Sequence, residues 1–130
     1  MRDRKITAIH HITINSNDLE LTDRFYTKVM GFEKTKRPPL NLDGSWYVME
    51  NGQQLHVIED RWYIPDFEDI YPVDHIAFEA EGYGEMLNHL RNYHVEFTFE
   101  ERKNKQMQIF FHDPNGVKIE LNYKKSSEWT

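Results

Sequence analysis

At 130 residues the chain has the length of one domain with a substantial core, and eight Phe, seven Tyr and three Trp supply much apolar area per buried residue. A net charge of −6, with sixteen Lys and Arg scattered along the sequence, argues against nucleic acid or an acidic membrane surface as partner. The absence of cysteine excludes disulfides and thiolate chemistry; no apolar run has membrane-spanning length, MRDRKITAIHHITI lacks the small-residue cleavage pattern of a signal peptide, and a cytoplasmic location is expected.

In chain order, AIHHITI (8–14) reads as a strand. NDLELTDRFYTKVMG (17–31) reads as a helix with Asn17 as N-cap, Glu20 as its capping-box partner, Leu21, Phe25 and Val29 on one face, and Gly31 as the stop. FEKTK, SWYVME and QQLHVIE read as strands, the last two joined by the turn ENG (50–52). After EDRWYIPDFEDIYP the pattern restarts. VDHIAFEA (73–80) is a strand, and GYGEMLNHLRNY is a helix with Met86, Leu87 and Leu90 facing inward. VEFTFE, MQIFFH and VKIELNY follow as strands, the last two joined by DPNG.

Both halves therefore read βαβββ. His11 and His75, Asn51-Gly52 and Asn115-Gly116, and His56 and Glu120 are each separated by 64 positions. One common separation across a strand, a turn and another strand marks an internal duplication. The expected organisation is a first module at 6–58, a linker at 59–72, a second module at 73–123 and a tail at 124–130. The fold class is α+β: two tandem βαβββ modules forming a cupped, mostly antiparallel eight-strand sheet with the helices outside.

Strand alternation assigns faces. Ile12 and Ile14 oppose His11 and Thr13; Leu55 and Val57 oppose Gln54 and His56. Ile76 and Phe78 oppose His75 and Ala77; Ile119 and Leu121 oppose Lys118 and Glu120. Each of these strands has an apolar face to pack beneath a helix and a second face bearing a His or a Glu. Taken singly, a strand histidine is more often a satisfied structural residue than a ligand. As a set of three imidazoles and one carboxylate on equivalent positions, they point to a divalent transition ion, Zn, Ni, Fe, Mn or Co. His10 competes with His11 as the first ligand; the match of His11-Ile12 to His75-Ile76 favours His11.

The stretches HHITINSNDLELTDRFYTKVMGF, QQLHVIE, VDHIAF and FFHDPNGVKIEL resemble the vicinal oxygen chelate superfamily, which includes glyoxalase I, extradiol dioxygenases, methylmalonyl-CoA epimerase and fosfomycin-resistance transferases. The resemblance implies metal ligands at His11, His56, His75 and Glu120, with neighbouring oxygens of a small-molecule substrate chelated by the metal as Lewis acid. It also implies a homodimer. Asn15 stands where glutathione-dependent glyoxalase I carries Arg, and Phe110 where dioxygenases and fosfomycin transferases carry Tyr. Thr13 matches a Thr of some fosfomycin transferases.

Trp46 and Phe110 share the same separation and, with Thr13, are candidates to wall a substrate pocket, core packing being the alternative for both rings. Lys36 and Arg37 read as a solvated loop. Gln54 and Lys118 share the parity of the ligands and are candidates to support them. The expected function is a metal-dependent glyoxalase-like lyase or isomerase with Glu120 also moving protons. A transferase or dioxygenase of the same superfamily, or a binding protein without chemistry, are the alternatives.

Overall fold

The alternation in HITINS becomes strand β1 (His11–Ser16) in the computed structural model, which describes Arg4 and residues 8–65, 75–101 and 106–123. The later part of the expected linker (66–72) and the tail (124–130) lie outside the described residues, as do residues 6–7 and 73–74 at the starts of the two expected modules. The chain divides into two compact units, residues 1–63 and 64–130.

In the first unit, β1 is followed by helix α1 (Leu19–Arg24), which passes into a single π-helical turn at Phe25–Val29. Strands β2 (Glu33–Thr35), β3 (Gly44–Val48) and β4 (Gln54–Glu59) complete it. The sheet order is β1-β4-β3-β2; β1 pairs with β4 in parallel, and the other pairs are antiparallel. The second unit repeats this with β5 (Ile76–Ala80), α2 (Tyr83–Asn92), β6 (Phe97–Glu101), β7 (Met107–His112) and β8 (Lys118–Tyr123), in the order β5-β8-β7-β6. Again β5 and β8 are parallel and the rest antiparallel. The eight expected strands thus form as two four-stranded mixed sheets. In each, a helix crossover brings the first strand beside the last, as parallel pairing requires.

The cap of α1 falls one residue later than expected. Asp18, not Asn17, is the N-cap, its carboxylate accepting from Leu21 N at 3.0 Å, while the Asn17 amide donates to Tyr63 O at 3.0 Å. The inner face of the helix differs too. Leu21 is half exposed, and Thr22, Phe25, Tyr26 and Val29 are buried. The Thr22 hydroxyl meets the Ser16 hydroxyl at 2.8 Å, both buried, on the inward side of the helix. The π turn, closed by Met30 N donating to Phe25 O at 3.0 Å, then carries Tyr26 inward. Gly31 ends the element at φ +76°.

Beneath the first sheet, Tyr26, Tyr47, Leu55 and Val57 form the core; beneath the second, Leu90, Ile109, Ile119, Leu121 and Tyr123 do so. Tyr47 donates its hydroxyl to Asp23, whose carboxylate also takes Lys34 Nζ at 3.0 Å. Burial by itself would raise the Asp23 carboxyl, but the hydrogen bonds from Tyr47 and Lys34 and the Lys34 charge hold it below the usual carboxylate range. The DPNG turn is internally satisfied. Asp113 accepts from Asn115 N and Val117 N, each at 2.8 Å, and Gly116 supplies φ +86°. Among the described residues no helix is long and apolar enough to cross a membrane.

Candidate functional site

Because β1 and β4 are parallel neighbours, their outward side chains line up across the strands. His11 lies opposite Gln54, Thr13 opposite His56, and Trp46 of β3 opposite His56 on the other side. His56 is buried, 7% exposed, although it sits on the face away from α1. Its neighbours explain this. The His11 ring stacks on it at 4.1 Å between centroids and 17° between planes, and the Trp46 indole covers it at 3.9 Å and 3°. Gln54 Oε1 lies 2.8 Å from His56 Nε2. A carbonyl oxygen only accepts, so this contact puts the proton on Nε2 and leaves the Nδ1 lone pair open. Burial first, then the nearby His11, His10 and Arg37, push the His56 imidazole below its ordinary pKa and favour the neutral ring. His10 and His11 approach Nδ1 to Nδ1 at 2.9 Å, both rings exposed.

The second unit places its candidates on the matching strands. Glu120 lies opposite Ala77 of β5 and opposite Phe110 of β7, and His75 immediately precedes β5. His75 Nε2 lies 3.5 Å from Glu120 Oε1. The other carboxylate oxygen, Oε2, accepts from Asn122 Nδ2 at 2.7 Å, and Asn122 Oδ1 accepts from Gln108 Nε2 at 2.8 Å. Gln108 is 5% exposed, which makes this relay a fixed support rather than a surface contact. Beside it, an open groove of about 630 Å³ is lined by Thr98, Phe110, His112 and Lys118, among others.

Each unit thus brings together two of the four candidate ligands, His11 with His56 and His75 with Glu120. Among the described residues there is no group of three or more His, Asp or Glu side chains placed to hold a metal ion. The donor set nonetheless fits a divalent transition ion in type: neutral imidazoles and a carboxylate, with Gln54 and Asn122 as the hydrogen-bonding partners that ligating His and Glu require. Of the substrate-wall candidates, Thr13 is exposed beside His56, Trp46 is half-buried against it, and Phe110 is half-buried in the groove.

Gln54 stands out in the sequence by strand parity, but Asn122 and Gln108 do not, although Asn122 shares the parity of Glu120. Arg37 departs from the expected solvated loop. It is half-buried, and its Nε is shielded from water with no hydrogen-bond partner.

The family profile of the Glyoxalase/Bleomycin resistance protein/Dioxygenase superfamily matches residues 8–121. The chain belongs to this superfamily. Among its fellow members, an Arabidopsis thaliana protein named Glyoxylase I 4 is 30% identical over 123 residues, 89% of this chain and 70% of the relative. The Escherichia coli (strain K12) protein YaeR, described as uncharacterized, is 26% identical over 128 residues, 89% of this chain and 95% of the relative. The crystal structure of a glyoxalase/dioxygenase from Nostoc punctiforme superposes with a TM-score of 0.80 at 17% identity, covering 95% of this chain and 99% of that one. That likeness concerns the fold. As a superfamily member, the chain carries the glyoxalase fold with a His/His pair in one unit and a His/Glu pair at equivalent positions of the other.

Proposed function

We propose that the protein is a divalent-metal-dependent, glyoxalase-like enzyme of the lyase or isomerase class, acting on a small substrate with two neighbouring oxygens. The observation that carries this reading is the repetition of a donor pair at corresponding strands: His11 against His56 at 4.1 Å between ring centroids, and His75 against Glu120 at 3.5 Å. A buried imidazole beside a second imidazole needs a reason, and so does a supported carboxylate facing an imidazole at the corresponding strands. Metal ligation by His11, His56, His75 and Glu120 supplies both. The name of the Arabidopsis relative supports the lyase class.

A divalent ion on these donors would polarise the substrate oxygens as a Lewis acid. The chain's own residues do the remainder. Gln54 fixes the tautomer of His56, and Asn122 holds Glu120 Oε2, leaving Oε1 turned toward His75. In this reading Glu120, on leaving the ion transiently, would take and return a proton at the substrate carbon, with Thr13, Trp46 and Phe110 walling the substrate. A homodimer in the cytoplasm belongs to the same reading, and light scattering after size exclusion measures the assembly.

Elemental mass spectrometry after chelator-free purification tests the reading on wild type, His56→Ala and Glu120→Ala. About one divalent ion per chain is expected in wild type, with most of it lost in both variants. Wild type that takes up none of Zn, Ni, Mn or Fe(II) overturns the reading.

A further inference from the structure

After β2 the chain runs through Pro38-Pro39 and returns at Gly44, the first residue of β3. Arg37, which the proposed chemistry does not use, folds back across this return. Its Nη2 donates to Leu42 O at 2.5 Å, which closes the loop on the guanidinium. Gly44 makes room for it. A Cβ there would meet Arg37 Nε and Nη2 at 3.2 Å and would run into the Val57 carbonyl oxygen. The loop is therefore shaped around the guanidinium, and no side chain larger than hydrogen is admitted beneath it.

Three observations make this placement unusual for a structural arginine. Its Nε is buried and has no hydrogen-bond partner, a cost that proteins rarely leave uncompensated. No carboxylate among the described residues pairs with it. The Gly44 on which it packs lies two residues before Trp46 in β3, and Trp46 is the register partner of His56, so the guanidinium stands on the strand that flanks this candidate ligand. An anionic occupant would supply the counter-charge that none of the described residues gives.

We propose that Arg37 is an anion-binding residue, and that the substrate carries a carboxylate or equivalent oxyanion which the guanidinium holds beside His56 and Trp46. The guanidinium donors that Leu42 O does not occupy suit a carboxylate oxygen, and Trp46, two residues along β3 from Gly44, with the exposed Leu40 and Leu42, suits an apolar body attached to it. This assigns the chemical class of the substrate, a small organic acid, and it rests on the proposed function only in taking the His56 face as the substrate site.

The test uses benzoate and its neutral isostere benzamide, titrated into ¹⁵N-labelled protein as purified, with the metal content of the same samples measured in parallel. Benzoate is expected to shift the Gly44 amide and the Arg37 Nε–H, and to bind at least about tenfold more tightly than benzamide. Arg37→Gln should erase the difference, while Arg37→Lys, which keeps the charge but loses the fork, should keep part of it. Equal binding of the two probes by wild type, or a preference that survives Arg37→Gln, overturns the proposal. The two readings fail separately. Benzoate preference without metal overturns the metal enzyme and leaves the anion site standing, whereas metal without benzoate preference overturns the anion site alone.

Discussion

The His56 imidazole lies flat against the Trp46 indole, with 3.9 Å between centroids and 3° between planes. A metal bound at His56 would therefore sit within reach of an aromatic reporter. Titration with Ni(II) or Co(II) should quench the Trp46 part of the fluorescence. Trp62 is 90% exposed and emits to the red of a half-buried indole, and comparison with Trp46→Phe separates the Trp46 part from the emission of Trp62 and Trp129. In Trp46→Phe the blue part of the quenching should vanish while metal content is kept. Quenching unchanged in Trp46→Phe would place the metal elsewhere.

Asn122 is the next point of leverage. Its amide holds Glu120 Oε2 at 2.7 Å and is itself held by the buried Gln108. Hydrogen bonds to ligating groups orient them, and their loss typically costs about 10–100-fold in metal affinity. Asn122→Ala should weaken zinc retention against a competing chelator by an amount in that range, with far-UV circular dichroism unchanged. Unaltered retention would mean that Glu120 needs no support, or no metal.

Which parts of this arrangement could be read in the sequence follows from what each depends on. Alternation alone sorts His56 from Leu55 and Val57, because a strand has only two faces and the apolar set must choose one. The helix face is less accessible. Leu21, Phe25 and Val29 have good spacing, but a π turn at Phe25–Val29 changes the phase and buries Tyr26 while Leu21 stays half exposed. Asn17 and Asp18 are both good caps, and only the strand end at Ser16 decides between them. The Gln108–Asn122–Glu120 relay depends on cross-strand register, which local pattern does not contain. Arg37 is hidden for another reason: its fold-back depends on the space left by Gly44, a residue seven positions away.

Acid should loosen the first unit through Asp23. Its folded carboxyl is held below the unfolded value of 3.8, so the stability it contributes is present above that pH and is lost as pH falls through the lower folded value. Asp23→Asn should destabilise the protein by about 1.5–3 kcal/mol at pH 7, the range for a hydrogen bond to a charged group. Urea midpoints should show the gap between wild type and variant closing below about pH 4. A gap that stays constant into acid would mean that the Tyr47 and Lys34 contacts carry no charge-dependent stability.

The two units end their helices differently, and that difference is measurable. After α1 the left-handed position is filled by Gly31 at φ +76°, but after α2 it is filled by His94 at φ 57°. A side chain there crowds the backbone by about 1 kcal/mol, a cost that glycine lacks. The neighbouring bonds are already in place, with His94 N donating to Arg91 O and Val95 N to Leu90 O, so the substitution alters the residue and not the turn. His94→Gly should raise the thermal midpoint by a few degrees, at most about 8 °C for a domain of this size, with metal content unchanged. A lowered midpoint would show that the His94 ring contributes contacts worth more than the strain it imposes.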